Sequence, residues 1–462
     1  MKKIICLKNF LILLKELLMK NRLELLENKK IVILGFGKEG KSTYEYLRKY
    51  FPNMPLVIMD QNHANISLDD IFVKIINVDF GVLKDYDLIF KSPGVSLKDI
   101  DITDFRDKIT SQLEFFLETT KGYTIGITGS KGKSTTSSLI YQMINDQGYK
   151  SFLVGNIGNP IFDVIDNIDE DTYVVIEMSS HQLEFVKKSP NIALLLNLFP
   201  EHLDHYRSLD AYYKAKLNIA NYQNKEDYFI YSTDNEDLAK YLSYVNGNSV
   251  RHDLNLEKKD SSYAYIKDDY IVVDDEKVFD TNMEIKLKGI HNLKDIMFAL
   301  SVASLLNLEY DKCVRTIEKF EPLSHRMEKV GTYNGITFYN DSIATIPQAA
   351  QNAVKALGNV NTLIIGGMDR GIDYDGFIQF LKDCDVENII CMPDTGYKIR
   401  EFIKDDKKTY LAKDIETAVD IAKKVTKKDM ICLLSPAASS YGFYKNFEER
   451  GDRFKEHVKK NN

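Results

Sequence analysis

The sequence predicts an α/β protein with three domains, which we place at residues 1–110, 111–321 and 322–462. The chain has 462 residues, and folded chains average about 150 residues per domain. Apolar strand-like runs alternate with helical patterns in three separate stretches, which is typical of parallel sheets with crossover helices. Two of these runs lead into glycine-rich turns, as in nucleotide-binding domains.

The first stretch predicts a Rossmann-like N-terminal domain. Strand patterns at residues 31–34 and 56–59 flank a helical pattern at residues 42–50, which makes a βαβ unit. Before it, residues 1–19 form an apolar run interrupted by charges, with no small-residue cleavage site after it. We therefore predict an amphipathic first helix there and not a secretion signal.

The second stretch predicts a central domain with a parallel sheet and a small antiparallel edge. Strands are expected at residues 123–127, 173–176 and 192–197, and a helix at residues 135–147. Between residues 228 and 287 short strands alternate with acidic turns, which indicates the antiparallel edge.

The third stretch predicts a Rossmann-like C-terminal domain with a parallel sheet, because strands and helices alternate most clearly there. The strands are expected at residues 336–339, 362–365, 388–392 and 431–434, and the helices at residues 347–357, 374–381 and 415–425.

Composition excludes several classes of protein. Lys plus Arg (61) against Asp plus Glu (68) gives a net charge of -7, whereas nucleic-acid binders usually carry a basic domain or stripe. The five cysteines are widely spaced without a C-x-x-C pair, so we expect a reducing cytoplasm and neither a disulfide framework nor a thiolate zinc site. The longest stretch without a charged side chain, residues 430–444, is too short to span a bilayer.

The turn after the first strand has the spacing of a dinucleotide-binding fingerprint. Gly35, Gly37 and Gly40 follow the strand, and Asp60 closes the next strand, about 20 residues further on. Glycines let the backbone approach a pyrophosphate, and the helix N-terminus offers unpaired N–H groups to its charge. A tight turn without a ligand is the alternative, and the pattern does not separate NAD from another nucleotide diphosphate.

The turn after residues 123–127 predicts a P-loop ATPase-like site. Its backbone N–H groups would hold phosphates, Lys133 would neutralise the β and γ groups, and the Ser134 hydroxyl would bind Mg²⁺. Ile127 stands where the complete motif has its first glycine, and a helix N-terminus rich in small residues is the alternative. We assign ATP binding to Gly129, Ser130, Lys131, Gly132, Lys133, Ser134 and Thr135.

Two side chains at neighbouring strand ends are candidate metal ligands. Glu177 follows the predicted strand at residues 173–176, and His202 lies on the loop after the next strand, at the same edge of the sheet. Mg²⁺ prefers oxygen ligands. A lone histidine is structural by default, but two potential ligands on adjacent strand ends favour a metal site.

Five short motifs in the first two thirds of the chain point to one enzyme family. They are residues 128–135, Gly155-Asn156-Ile157-Gly158, Glu177-Met178-Ser179-Ser180, Asn197 with Glu201-His202-Leu203-Asp204, and Gly289-Ile290-His291-Asn292. In this order they resemble the motifs of the Mur ligases, the ATP-dependent amide-forming enzymes of peptidoglycan precursor synthesis. Residues 91–95, 435–440 and 445–451 resemble the D-glutamate-adding branch of that family. The resemblance runs from about residue 30 to residue 454.

The resemblance implies catalytic and metal-binding roles. Lys133 and Ser134 match phosphate-binding positions, and Glu177 and His202 match Mg²⁺ positions. Lys216 matches the family's carbamylated lysine, whose modification turns a cation into an anion that can orient a second Mg²⁺. Without the resemblance, Lys216 would be an exposed helix lysine. The implied catalytic residues are Lys133, Lys216 and His202, and the implied metal ligands are Ser134, Glu177, His202 and Lys216.

The resemblance also implies further contacts to the nucleotides. ATP would contact His291, Asn292, Arg326 and Asp341. The uridine diphosphate of the substrate, UDP-N-acetylmuramoyl-L-alanine, would lie on the first glycine turn, so the dinucleotide spacing is misleading about NAD. Its implied contacts are Gly35, Gly37, Gly40, Asp60, Ser92, Gly94 and Asn156.

For the incoming D-glutamate, the resemblance implies contacts at Thr345, Arg370, Ser440 and Phe447. Ile343 stands where the family commonly has a lysine. Because a cation is missing there, we expect Arg370 to bear more of the recognition of the glutamate side chain through a bidentate contact.

These matches lead to one expected function and two alternatives. We expect ATP-dependent addition of D-glutamate to UDP-N-acetylmuramoyl-L-alanine through an acyl phosphate, by a cytoplasmic monomer that uses Mg²⁺ and has no membrane span. A related Mur ligase or a folylpolyglutamate synthase with another amino acid is the alternative among ligases. An NAD-dependent oxidoreductase is the distant alternative, since it leaves the strand-flanked phosphate loop unexplained.

Overall fold

A computed structural model of the protein describes residues 22–200, 205–287, 289–321, 324–369 and 373–460. The first helix predicted within residues 1–19 lies outside them. The described residues form three sheets, and the chain divides into two compact units at Phe320. No helix in these ranges is both long and apolar enough to cross a membrane. The division into three domains stays a prediction.

The N-terminal sheet has five parallel strands in the order β3-β2-β1-β4-β5. All four residues of β1 are buried, as expected for a central strand covered on both faces. The predicted βαβ unit is confirmed, and its helix begins earlier than expected, directly after Gly37. The elements are β1 Ile31–Leu34, α1 Lys38–Tyr50, β2 Leu56–Met59, β3 Val73–Ile76, β4 Leu88–Lys91, β5 Ile109–Thr110 and α2 Gln112–Thr119.

The central sheet has nine strands in the order β14-β13-β12-β11-β10-β9-β6-β8-β7. Its first elements are β6 Tyr123–Thr128, α3 Lys133–Asp146, β7 Ser151–Gly155, β8 Tyr173–Glu177, α4 Ser180–Leu183, β9 Ile192–Leu195 and α5 Leu209–Asn221. The remaining elements are β10 Tyr228–Tyr231, α6 Glu236–Tyr241, β11 Val250–Leu254, β12 Ser262–Lys267, β13 Tyr270–Val273, β14 Glu276–Asp280, α7 Ile290–Leu305 and α8 Tyr310–Lys319.

The antiparallel edge is smaller than the sequence predicts. β10 and β11 continue the parallel sheet, and β12 pairs with β11 in parallel. Only the β12–β13 and β13–β14 pairs are antiparallel. The reason is local. Within residues 228–287, all of which the structure describes, tight acidic turns with positive φ occur only at Asp268-Asp269 and Asp274-Asp275, and two such residues in succession are what a short hairpin requires.

The C-terminal unit has a six-stranded sheet in the order β15-β16-β20-β17-β18-β19. The predicted parallel sheet is confirmed for β16 to β20. An antiparallel edge strand was not predicted: β15 pairs with β16 across a turn at Asn334 and Gly335, both with positive φ. The elements are β15 Glu328–Tyr333, β16 Ile336–Asn340, α9 Pro347–Leu357, β17 Val360–Gly367, α10 Asp375–Asp383, β18 Asn388–Asp394, α11 Thr395–Ile403, β19 Lys408–Leu411, α12 Ile415–Val425, β20 Ile431–Leu434 and α13 Phe447–Lys459.

One apolar core joins the N-terminal and central sheets. The rings of Phe90, Phe115 and Phe162 pack edge to face at 5.7 to 6.0 Å between centroids. Tyr46 of α1 packs on Phe162 at 4.6 Å. Such aromatic contacts stabilise a fixed packing beyond the area that they bury. Helix α1 is thereby held against the segment that follows β7 of the central sheet.

Candidate functional site

The loop between β6 and α3 has the strand–loop–helix geometry of a phosphate-binding site. β6 ends at Thr128, and α3 begins at Lys133. Gly132 caps the helix with φ +86°, and a Cβ atom there would lie 2.4 Å from Asp295 Oδ1. Only glycine fits this position, for conformation and for space. The first turn of α3 has no acidic residue, so its N–H groups and positive dipole end are available to an anion.

The loop is fastened to the end of the neighbouring strand β9 by Asn197. The Asn197 Oδ1 atom accepts the Lys131 N–H at 2.9 Å, its Nδ2 donates to the Lys131 carbonyl at 3.1 Å, and its own carbonyl accepts the Ser130 N–H at 3.1 Å. Ser130 Oγ also donates to the Phe199 carbonyl at 2.9 Å. The loop is therefore shaped in advance of any ligand.

Two lysines converge on this loop. Lys133 Nζ donates to the Gly129 carbonyl at 2.8 Å and to the Ser130 carbonyl at 3.0 Å. Lys216 Nζ, from α5, donates to the same Gly129 carbonyl at 2.9 Å. Lys216 is only 2% exposed and lies over the Tyr212 ring at 5.0 Å, so the alternative of an exposed helix lysine is wrong. Two cations on one carbonyl oxygen make the position favourable for anions.

Glu177 lies at the end of β8, level with Ile127 of β6. Its Oε1 atom accepts the Asn156 Nδ2 hydrogen bond at 2.6 Å. The residue is 1% exposed, and Oε2 has no hydrogen-bond partner among the residues that the structure describes. A buried carboxylate oxygen left unpaired is costly, whereas it is a natural ligand for a cation.

The unpaired oxygen suits a cation such as Mg²⁺. Ser134, the other predicted ligand on this loop, is buried at the start of α3. His202, the other predicted ligand, lies outside the described residues. No three His, Cys, Asp or Glu side chains cluster as metal ligands in the described ranges. Mg²⁺ does not need such a cluster, since it usually keeps several waters and takes one or two carboxylates beside the phosphates of a substrate.

Helix α7 brings two more predicted residues toward the phosphate loop. His291 and Asn292 lie in its first turn. One turn further, Asp295 Oδ1 contacts Thr136 Oγ1 of α3 at 3.1 Å. We did not anticipate Asp295, because nothing in its local pattern distinguishes it from any other acidic residue at a helix start.

The first glycine turn borders a cavity of about 550 Å³. A Cβ atom at Gly40 would lie 2.1 Å from the Gly35 carbonyl oxygen, so α1 packs too closely on the turn for any side chain there. Ser92 Oγ donates to the same carbonyl at 2.7 Å, and the Phe36 N–H donates to Asp60 Oδ2 at 2.7 Å. Of the residues predicted to contact the UDP part, the cavity is lined by Gly35, Gly37, Asp60, Ser92, Gly94 and Asn156.

Asn156 links the two sites. It lines this cavity and also donates to Glu177, the candidate metal ligand. Its backbone N–H donates to the Glu177 carbonyl at 2.9 Å. A substrate held on the first glycine turn could therefore extend to the strand ends where Glu177 lies.

In the C-terminal unit, Asp341 and Phe447 belong to one hydrogen-bonded arrangement. Asp341 Oδ2 accepts from Ser435 Oγ at 2.8 Å. Phe447 begins α13, and its carbonyl accepts from Ser342 Oγ at 2.8 Å. Of the other residues predicted in this unit, Ser440 is buried, Arg326 and Thr345 are partly buried, and Arg370 lies outside the described residues.

Arg450 organises this arrangement and was not among the residues we predicted. It is fully buried and donates through Nε to Ser342 Oγ at 3.0 Å, and through its terminal nitrogens to the Ser342 carbonyl at 2.8 Å and the Ala438 carbonyl at 3.2 Å. Burial lowers the pKa of Arg450 to about 10. It joins the two segments that carry Thr345 and Ser440. Its place in the 445–451 motif was the only available signal.

The chain is similar to known proteins over most of its length. A family model for the Mur ligase middle domain matches residues 127–303, and one for the Mur ligase glutamate ligase domain matches residues 325–437. A UDP-N-acetylmuramoylalanine--D-glutamate ligase of Clostridium tetani is 31% identical, over 93% of this chain and 96% of that protein. One from Clostridium kluyveri is 34% identical, over 81% of this chain and 83% of that protein.

Solved structures with the same fold have lower sequence identity. The MurF ligase of Thermotoga maritima, solved in complex with ADP, is 16% identical, covers 94% of this chain and 96% of its own, and has a TM-score of 0.53. At this identity the likeness shows the fold alone.

Proposed function

Because the chain belongs to the UDP-N-acetylmuramoylalanine--D-glutamate ligases of the Mur ligase family, we propose that it uses ATP to join D-glutamate to UDP-N-acetylmuramoyl-L-alanine. The observation that carries this proposal is the position of Asn156. It lines the cavity at the first glycine turn and donates to Glu177 beside the phosphate loop. A UDP-linked acid and a triphosphate could thus meet at adjacent strand ends.

The reaction must activate a carboxylate, which is anionic and lacks a good leaving group. In the first step, a carboxylate oxygen of the alanyl group attacks the γ-phosphorus of ATP, the bond to the β-phosphate bridging oxygen breaks, and ADP leaves. In the second step, the amine of D-glutamate attacks the acyl phosphate, loses a proton, and inorganic phosphate leaves. No nucleophile from the protein is needed, so catalysis depends on positioning and on compensation of charge.

The phosphate loop supplies the compensation. Its backbone N–H groups and Lys133 would bind the β and γ phosphates, which carry the growing negative charge during transfer. The loop is already held by Asn197, so little reorganisation would accompany binding. We propose roles toward ATP for the remaining predicted residues as well, including Thr135, His291, Asn292, Arg326 and Asp341.

Ser134, Glu177 and His202 would hold Mg²⁺, which when bound offsets charge on the phosphates and orients them. The unpaired Glu177 Oε2 atom supports the assignment. Lys216 would act as a carbamate: its nitrogen shares the Gly129 carbonyl with the Lys133 ammonium group, and a carbamate would keep an N–H donor for that carbonyl while it replaces the second of two neighbouring positive charges by a negative one.

On the amino-acid side, we propose that Thr345, Arg370, Ser440 and Phe447 bind D-glutamate, with Arg370 taking the larger share because Ile343 offers no charge. The reaction consumes ATP and a UDP-linked precursor, so we place it in the cytoplasm, and we propose that the protein acts as a monomer.

A coupled phosphate-release assay tests the function. The protein is incubated with ATP, Mg²⁺, UDP-N-acetylmuramoyl-L-alanine and a panel of D- and L-amino acids. We expect phosphate release with D-glutamate and little with L-alanine, diaminopimelate or L-glutamate. Preference for another amino acid would favour a related Mur ligase, and glutamate-dependent release with a folate acceptor would favour a folylpolyglutamate synthase. Binding of NADH in place of ATP and UMP would favour the oxidoreductase.

A further inference from the structure

The first glycine turn carries an acidic side chain where a diphosphate would bind. Glu39 lies in the first turn of α1 and lines the cavity of about 550 Å³ together with Gly35 and Gly37. Helix N-termini attract anions through their N–H groups and dipole, but a carboxylate at the same place repels them. The site therefore contains an electrostatic conflict that its ligand has to overcome.

Glu39 is held at the cavity by a fixed donor. Its Oε1 atom accepts from Gln182 Nε2 at 2.6 Å. The other end of that amide, Gln182 Oε1, accepts the Ser179 N–H at 2.9 Å, and the Ser179 hydroxyl in turn caps α4. Because this capping box fixes which end of the Gln182 amide faces Glu39, the carboxyl group has a preferred position against the wall of the cavity.

A buried cation that acts on Glu39 is shared with another carboxylate. Lys91 is buried at the end of β4, and its Nζ lies 3.8 Å from Glu184 Oε2. The same Glu184 oxygen lies 3.2 Å from His205 Nε2. Lys91 attracts Glu39, but it also forms an ion pair with Glu184. Its positive charge is therefore divided between two carboxylates and does not fully neutralise Glu39.

The groups on the other sides of Glu39 do not remove the conflict. Lys38, the preceding residue of α1, attracts it, but Lys38 Nζ donates to the Gly158 carbonyl at 2.8 Å and is exposed. Asp60, which also lines the cavity, adds a second acidic group. Burial is the dominant effect and raises the pKa of Glu39 to about 7, with the Gln182 hydrogen bond and the two lysines lowering it in part.

We propose that Glu39 takes up a proton when the diphosphate of the substrate enters this cavity, so that its carboxyl group is neutral in the complex. The inference rests on the proposed function, since it needs a UDP-linked substrate at the first glycine turn. A protonated Glu39 keeps Oε1 as the acceptor for Gln182, while the proton resides on Oε2. The neutral group then no longer opposes the phosphates.

The sign of the pH dependence follows from linkage. A bound anion raises the pKa of Glu39 above its value in the free protein, so the complex binds more protons than its separate components. Binding is then strongest at low pH and weakens as the pH rises through the pKa of the complex. With the pKa of Glu39 at about 7 in the free protein, an about tenfold preference of the diphosphate for the protein with neutral Glu39 corresponds to uptake of roughly half a proton at pH 7.5. The same preference makes binding about eightfold weaker at pH 9 than at pH 6.

Isothermal titration calorimetry measures the proton directly. The full chain is titrated with UDP-N-acetylmuramoyl-L-alanine without ATP, at pH 7.5, in two buffers of different ionisation enthalpy. At pH 7.5 the diphosphate and the carboxylate of this ligand are fully ionised and its uracil ring keeps its N–H proton, so the ligand does not itself titrate there. We expect uptake of about half a proton by the wild type.

Three variants show whether the proton belongs to this side chain. Glu39→Gln keeps the Oε1 acceptor and should bind the ligand without proton uptake. The weakening of binding by about eightfold between pH 6 and pH 9, expected for the wild type, should be absent from this variant. Glu39→Ser also removes the titrating group and replaces Glu39→Gln in the experiment if that variant folds poorly. It should likewise bind the ligand without proton uptake. Glu45→Gln changes an exposed carboxylate on the same helix and should retain the wild-type uptake.

The outcomes separate this inference from the proposed function. If the wild type does not bind the ligand at all, the assignment of the substrate is wrong. If it binds without taking up a proton, or if Glu39→Gln takes up as much as the wild type, the role of Glu39 is wrong while the proposed function stands.

Discussion

The two glycine turns of the N-terminal unit, one between β1 and α1 and one between β6 and α3, have the same strand–turn–helix arrangement but differ in their charged side chains. Each follows a buried central strand and leads into a helix, α1 in one case and α3 in the other. The loop before α3 receives two lysines, Lys133 and Lys216, and has no acidic residue in its first helical turn. By contrast, Glu39 lies in the first turn of α1, and Asp60 also lines the cavity there.

This difference teaches that the backbone alone does not select the ligand. Both turns offer N–H groups to phosphate, but only the loop with lysines compensates the charge that develops when a phosphoryl group is transferred. The other turn suits a diphosphate that is held and not cleaved. The dinucleotide-like spacing of Gly35, Gly37 and Gly40 is therefore compatible with a site that does not bind NAD.

The sharpest way to break the comparison is to remove the charge of the reactive loop. Lys133→Ala should lower kcat by about a thousandfold or more, because an essential cation is lost where the transferring group carries its charge. The measurement is product formation from ATP, UDP-N-acetylmuramoyl-L-alanine and D-glutamate. Lys121→Ala is the control. Lys121 is exposed and precedes β6, the strand that leads into the phosphate loop, so this variant should form product at a near-normal rate. Near-normal activity of Lys133→Ala would remove the phosphate-loop assignment.

A smaller loss is expected from Lys216, with a partial rescue. Lys216→Ala should lower kcat by about a hundredfold, and a small carboxylate in the buffer should restore part of it by replacing the carbamate. Lys214→Ala, on the same helix but half-exposed and paired with Asp210 at 3.0 Å, should keep its activity and show no rescue. Full activity of Lys216→Ala without added carboxylate would contradict the carbamate role.

The smallest effects distinguish two glycines of the first turn. A Cβ atom at Gly40 would lie 2.1 Å from the Gly35 carbonyl oxygen, whereas one at Gly37 would meet nothing within 4 Å. Gly40→Ala should therefore lower the free energy of unfolding by about 1–3 kcal/mol, seen as a lower Tm. Gly37→Ala should leave Tm almost unchanged and raise the KM for the UDP-linked substrate severalfold. Equal KM values for Gly37→Ala and wild type would place the diphosphate elsewhere.

The elements with strong apolar periodicity were predictable. The helices Pro347–Leu357 and Ile415–Val425 and the strand Ile431–Leu434 have the predicted bounds, since each combines a clear pattern with a proline, an aspartate cap or a buried apolar run. The strand Lys408–Leu411 was missed because its residues are only partly buried or exposed and carry little apolar pattern. The β15–β16 hairpin was also missed, although its Asn334-Gly335 turn was a readable signal.

The candidate site was predictable where it is local in sequence and not where distant segments meet. The phosphate loop and the first glycine turn follow from spacing. By contrast, Lys216 reaches the Gly129 carbonyl across 87 residues of sequence, and Arg450 reaches Ser342 across 108. The burial of these cations depends on how helices pack, which no local pattern encodes. Glu39 was overlooked for a related reason, since its environment is completed by Gln182 from α4, which is distant in sequence.

The central claim is that the loop at Thr128 to Ser134 positions ATP so that its γ-phosphoryl group passes to a carboxylate. The most direct test uses UDP-N-acetylmuramoyl-L-alanine labelled with ¹⁸O in the alanyl carboxylate, turned over with ATP and D-glutamate, with mass analysis of the released phosphate. Transfer through an acyl phosphate predicts one ¹⁸O atom from the carboxylate in each phosphate. Unlabelled phosphate accompanying amide formation would contradict the account.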